Sequence, residues 1–125
     1  LLIRSPHASL LLTGDITHKA ERKLLAGGKV PGDITLVTVP HHGSRSSSSS
    51  AFVQHVRPRF AIISAGWRSH FGHPDDEVVA RWQLIGSEVY NTAETGMLNF
   101  SWRSPDTEFP EITAYRQESA KFWNR

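Results

Sequence analysis

The sequence predicts an α/β protein whose strands alternate with helices and carry polar residues to one edge of a sheet. Runs of β-formers recur at residues 9–13, 34–39 and 60–65. Amphipathic helical stretches follow them at 18–25, 51–56 and 75–84. Each run also ends in a polar cluster: Gly14-Asp15, then His41-His42, then the loop holding His70 and His73. In open α/β sheets ligands bind outside the carboxyl ends of the strands, so these clusters mark the expected site.

Residues 1–3 and 9–13 are short apolar runs joined by Arg4-Ser5-Pro6-His7-Ala8, which reads as two strands with a tight connection. The second is apolar on both faces, as a covered central strand should be. Gly14 then relaxes the backbone and leaves Asp15 at the strand tip. Residues 18–25 set Ala20, Leu24 and Leu25 among charges, an amphipathic helix stopped by Gly27-Gly28. Pro31-Gly32-Asp33 turns the chain into the strand 34–39, which runs out into Pro40-His41-His42-Gly43-Ser44. The five serines of 46–50 read as a loop and N-cap before a helix at 51–56, with Phe52, Val53 and Val56 on one face. A flexible low-complexity linker is the alternative for that stretch.

Pro58 ends the second helix, and 60–65 is the next buried strand. The helix 75–84 opens on acidic residues that suit the positive end of its dipole, with Val78, Val79, Trp82 and Ile85 at helical spacing. Residues 88–92 and 96–102 read as a closing pair of strands turning at Glu94-Thr95-Gly96. Beyond Arg103 the pattern weakens, and 115–123 suits a terminal helix or a return to another domain. The expected organisation is one domain over 1–102 and an extension over 103–125.

The 125 residues make at most one domain, with 38% apolar residues and four tryptophans for a core. No apolar run approaches the ~18 residues needed to cross a bilayer. The formal charge of +2 gives no basic tail of the kind that announces nucleic acid, though it suits a polyanionic substrate. With no cysteine there is no disulfide framework, and any metal site must use His and carboxylate. The chain opens in strand-like sequence with neither Met nor a leader, and is expected to be a piece of a longer protein.

One aspartate and two to four histidines on successive strand-end loops form a ligand mix suited to Zn²⁺ or Mn²⁺. Water on such a metal becomes a hydroxide that can hydrolyse phosphodiesters, lactams or thioesters. Each residue also has a plainer use. Asp15 can cap the helix that starts near Thr17, and Ser44 can cap the next helix rather than donate to a phosphate. His70 and His73 can simply fix their loop, while His7, His18 and His55 read as surface residues. Trp67, Trp82, Trp102 and Trp123 suit core or inter-domain packing better than base stacking. Arg45, Arg57, Arg59 and Arg68 can contact phosphates or remain solvated charge.

Leu11-Leu12-Thr13-Gly14-Asp15, Pro40-His41-His42-Gly43-Ser44, Gly72-His73-Pro74 and residues 92–96 together resemble the C-terminal half of a metallo-β-lactamase-fold hydrolase. The resemblance covers 1–102 and is nearest to the hydrolase domain of the ComEC DNA-uptake competence family. It implies an αββα sandwich, present here only as its C-terminal half, with two divalent metal ions in the complete domain. It implies Asp15 and His42 as metal ligands and His41 and His73 on the substrate side, the two neighbouring histidines being interchangeable in these roles. Ser44, Arg45 and His70 are the candidate substrate contacts. The implied reaction is metal-dependent hydrolysis of a DNA strand during uptake. The implied setting is an extracytoplasmic domain of an inner-membrane protein, beside that protein's membrane channel. The family's early H-x-[HD]-x-D-H motif is absent from these residues and expected upstream of Leu1, so the chain alone is expected to be inactive. Ser69 stands where the family often has Asn. The rival readings are a non-catalytic DNA-binding or scaffolding part of the uptake channel, and a hydrolase of another ester or lactam.

Overall fold

The computed structural model describes residues 1–104 and 106–118. The first strands are β1 (Leu2–Arg4) and β2 (Ser9–Leu11), followed by helix α1 (His18–Ala26). Then come β3 (Leu36–Thr38), α2 (Ser50–Val56), β4 (Phe60–Ile63), α3 (Asp76–Leu84) and β5 (Glu88–Asn91). A single helical turn, α4 (Thr92–Thr95), leads to β6 (Leu98–Ser101), β7 (Glu111–Ala114) and the short α5 (Tyr115–Glu118). The architecture is a small α/β fold with a mixed sheet.

That sheet has five strands in the order β1-β2-β3-β4-β5, with β1 antiparallel to β2 and the remaining pairs parallel. Each crossover advances one place in the same direction. Crossovers of a single hand therefore put every connecting helix on the same face. The packing agrees: Val37, Ala61 and Ile63 point into one cluster with Phe52, Val53 and Val56 of α2 and Val78 and Trp82 of α3. The alternate residues Leu36, Phe60 and Ile62 point the other way, as the two-residue period of a strand requires. Each large side chain buried in this way contributes about 1.5–3 kcal/mol.

The second face is covered by a separate sheet of β6 and β7, paired antiparallel with Phe100 opposite Ile112. Phe100 meets Phe60 at 5.3 Å between ring centroids and Tyr90 edge-on at 5.9 Å. The layers are thus helices, a five-stranded sheet and a two-stranded sheet. The expected closing hairpin is corrected here. β5 joins β4 in the first sheet, α4 turns the chain at Glu94-Thr95, and β6 finds its partner in β7, inside the span 103–125. The strand-like stretches on either side of Gly96 are therefore in different sheets. Part of the predicted terminal helix, with Trp123, lies outside the described residues.

The serine stretch is an ordered staple rather than a linker. Ser47 and Ser48 are fully buried, and the buried carboxylate of Glu21 on α1 accepts the backbone N–H groups of Ser48 at 2.6 Å and Ser49 at 2.9 Å. Trp82 Nε1 donates to Ser48 Oγ at 3.2 Å, and the Arg81 guanidinium donates to the Ser48 carbonyl. Ser49 is the N-cap of α2, its side chain accepting from Phe52 N. His18, expected at the surface, is half-buried with Nε2 bonded to the Ser47 carbonyl at 2.8 Å. Among the described residues no helix is long and apolar enough to cross a membrane.

Candidate functional site

The tips of β2, β3, β4 and β5 lie side by side, and the loops leaving them share one edge of the sheet. Thr13 ties the first two together, its Oγ donating to the Thr38 carbonyl at 2.6 Å. Thr92 ties the last two, donating to the Ala65 carbonyl and accepting from Ala65 N, both at 3.0 Å. On this frame the loop after β3 makes a 3₁₀ turn over Pro40–Gly43.

Within that turn His41 (φ 50°, ψ 44°) and His42 (φ 56°, ψ 22°) are both left-handed, and Gly43 follows at φ 78°. Two successive side-chain-bearing residues there cost roughly 1–2 kcal/mol each, so the surroundings must impose the shape. Several bonds do so. His41 N donates to the Gly14 carbonyl at 3.0 Å, Ser44 N to the His41 carbonyl at 2.9 Å and Asp75 N to the Gly43 carbonyl at 3.0 Å. Gly43 lies so close to Pro74 that a Cβ there would meet Pro74 Cβ at 2.7 Å. The histidine loop is therefore locked against the loop that precedes α3.

The result brings together three of the predicted imidazoles and the predicted aspartate. His42 Nδ1 donates to the Ser64 carbonyl at 2.7 Å, which turns Nε2 toward Asp15 Oδ1, 3.6 Å away. The His41 ring lies 6.4 Å from His42 and 6.3 Å from His73, with His41 Nδ1 3.3 Å from Ser46 Oγ. His42 and His73 line a cleft of about 440 Å³ with Ser64, Ala65, Gly66, Ser69 and Phe71. Asp15 does not cap α1, whose N-cap is Thr17.

The other candidates fall around this centre. Ser44 is buried, its Oγ 3.1 Å from Ser46 Oγ within the loop. Arg45 reaches Asp75 at 3.0 Å, and Glu77 is 3.9 Å away. Desolvation pulls the Asp75 carboxyl upward, but the Glu77 N–H, Arg45 and the Val78 N–H outweigh it and hold it below the usual carboxylate range. His70 is exposed on the loop beyond the cleft. Trp82 and Trp102 are buried and half-buried, whereas Trp67 is 56% exposed.

The expected two-metal centre does not fit this geometry. Among the described residues no group of three or more His, Cys, Asp or Glu side chains converges to hold an ion. Asp15 Oδ1 faces His42 Nε2 at 3.6 Å, and among the described residues no third ligand joins them. Asp15 and His42 are thus a facing pair, not a ligand set for two divalent ions.

Comparison with known proteins adds relatives. The chain is 40% identical over 100 residues to the uncharacterized protein YcaI of Escherichia coli K12, covering 76% of the chain and 13% of that protein. It is 36% identical over 111 residues to competence protein ComA of Neisseria gonorrhoeae, covering 87% of the chain and 16% of that protein. It is 30% identical over 97 residues to ComE operon protein 3 of Bacillus subtilis strain 168, covering 77% of the chain and 12% of that protein. The chain therefore spans only 12–16% of the length of these relatives. No family model and no solved structure matches.

These findings correct the expected identity and reaction. One of these relatives is named a competence protein, and nothing matched ties the chain to a metallo-β-lactamase-fold hydrolase of the ComEC type. With no ligand cluster for the metals among the described residues, the metal-dependent DNA hydrolase reading falls with them.

Proposed function

We propose that this chain is the DNA-contacting part of a longer competence protein, and that the loop edge binds DNA without a metal. The observation that carries the reading is the meeting of His41 and His42, on a preformed, strained turn, with His73 of the neighbouring loop, on which Arg68 is exposed. The Arg68 guanidinium and the ring N–H groups of His41 and His73 are donors suited to phosphate oxygens, whereas the His42 Nδ1–H is already given to Ser64. Backbone strain imposed by several bonds is characteristic of binding and catalytic loops. The name of one relative, competence protein ComA, supplies the setting of competence.

The short share of each relative that is matched supports a module working beside other parts of a longer protein. In the finer reading those parts include a membrane channel and the module is extracytoplasmic. The architecture is then part of a larger αββα sandwich. Leu10 and Tyr90 of the first sheet and Leu98, Phe100 and Ile112 of the second are only partly buried where the two sheets meet, and further strands beside the second would cover them.

The test is fluorescence anisotropy of labelled DNA titrated with the chain at several salt concentrations. Affinity is expected to fall steeply with salt, and a His42→Ala, Arg68→Ala double variant to bind more weakly with a slope about one unit shallower. Absence of binding at low salt, or a variant indistinguishable from wild type, overturns the reading.

A further inference from the structure

The segment between β4 and α3 holds two of the most exposed large apolar side chains: Phe71 is 83% and Trp67 56% exposed. Exposed aromatics that share one loop mark an interaction surface, whereas isolated exposed apolar residues are ordinary. Here Trp67 carries cations. The Arg116 guanidinium carbon is 4.8 Å from the Trp67 ring centroid and that of Arg68 is 5.8 Å away.

Arg116 is held in place from elsewhere in the fold. It leaves the end of β7, donates from its guanidinium to the Ala93 carbonyl, and follows Tyr115, whose N–H bonds the Met97 carbonyl at 2.9 Å. Gly96 makes this approach possible, since a Cβ there would stand 3.3 Å from Arg116 Cβ. The second sheet thus delivers a fixed cation to an aromatic on the loop edge. Phe71 lines the cleft shared with His42 and His73.

Resting on the DNA-contacting reading above, we infer that Trp67 and Phe71, with Arg116 and Arg68, form a base-stacking platform selective for single-stranded DNA. Aromatic faces interleaved with guanidinium groups along a donor-lined groove are what a flexible polyanion with unpaired bases requires. A duplex hides its base faces within its own stack and must unstack before using the platform. The strand's bases lie on Trp67 and Phe71, and its phosphates run past His73 and Arg68. The positive charge around Trp67 favours this occupant over an apolar protein surface, which would have to desolvate two guanidinium groups.

The experiment compares binding of a thymidine oligonucleotide and of a duplex of equal length to the full chain and to Trp67→Ala, Phe71→Ala and Trp67→Phe. Single-strand affinity is expected to fall roughly 5- to 100-fold in each alanine variant and to be largely kept by Trp67→Phe, with duplex affinity changing less than about twofold. Circular dichroism confirms that each variant remains folded. If wild type binds neither form, the DNA-contacting reading fails and this inference with it. If wild type binds DNA but the alanine variants keep full single-strand affinity, only the platform is overturned. Wild-type self-association abolished by Trp67→Ala also overturns it, and gives the face to a second copy.

Discussion

Replacing Glu21 tests how the histidine edge is held from below. The buried Glu21 carboxylate accepts from Ser48 N and Ser49 N and so ties α1 to the start of α2. Alanine leaves both donors without a partner. An orphaned buried N–H costs about 1–3 kcal/mol, and Ser49 is half-buried, where water can relieve it, so the expected loss is about 3 kcal/mol. Glutamine keeps one acceptor but sets an amide N–H₂ against the second donor, for an expected loss of about 2 kcal/mol. Urea denaturation followed by tryptophan fluorescence reads both, because Trp82 bonds Ser48 and reports the same junction. In a domain stable by roughly 5–15 kcal/mol either loss moves the midpoint visibly without unfolding a chain near the upper end. A Glu21→Ala variant within about 0.5 kcal/mol of wild type refutes the staple.

Two further predictions concern the loop itself. Gly43→Ala is expected to destabilise by about 1–3 kcal/mol and to weaken DNA binding, because it must fit a Cβ against Pro74 at a left-handed φ; a melting curve and the anisotropy titration check both effects. Asp75 titrates below the usual carboxylate range when folded, so its stabilising contribution is fully present above the unfolded value and is lost as pH falls through the lower, folded one. Urea midpoints measured between about pH 5 and pH 2 should therefore fall with acid, and Asp75→Asn should make that fall shallower.

Much of the first sheet was legible because its signals are local. Val37, Ala61 and Ile63 sit in apolar runs with turn residues on both sides, and Phe52, Val53 and Val56 repeat at helical spacing. Parallel strands place their tips together, so listing the residues after each strand was enough to gather Asp15, His41, His42 and His73. The second sheet was misread for an equally local reason. Glu94-Thr95-Gly96 has the composition of a hairpin turn, and nothing nearby shows that it ends a helical turn between two sheets. β7 escaped because Glu111-Ile112-Thr113-Ala114 offers one large apolar residue on the edge of a two-stranded sheet.

The limits at the site are of another kind. A glutamate in an amphipathic helix reads as solvent-facing, and only the tertiary fold reveals that Glu21 meets the serine N–H groups. Nor does sequence announce that two histidines adopt left-handed backbone, a conformation that Gly14 and Asp75 impose from two other segments. The four tryptophans look alike in sequence, yet Trp82 is core and Trp67 faces water. A metal centre was inferred from the residue types at the strand tips, whereas ligation depends on where their ring nitrogens point.

The loop edge is the surface proposed to meet DNA, and titrating ¹⁵N-labelled chain with DNA tests this directly by following backbone amide shifts. Perturbations are expected to concentrate at 13–15, 41–49, 64–75 and 92–96, with the outer faces of α1, α2 and α3 unchanged. Shifts confined to those helical faces, or none at all at low salt, would contradict it.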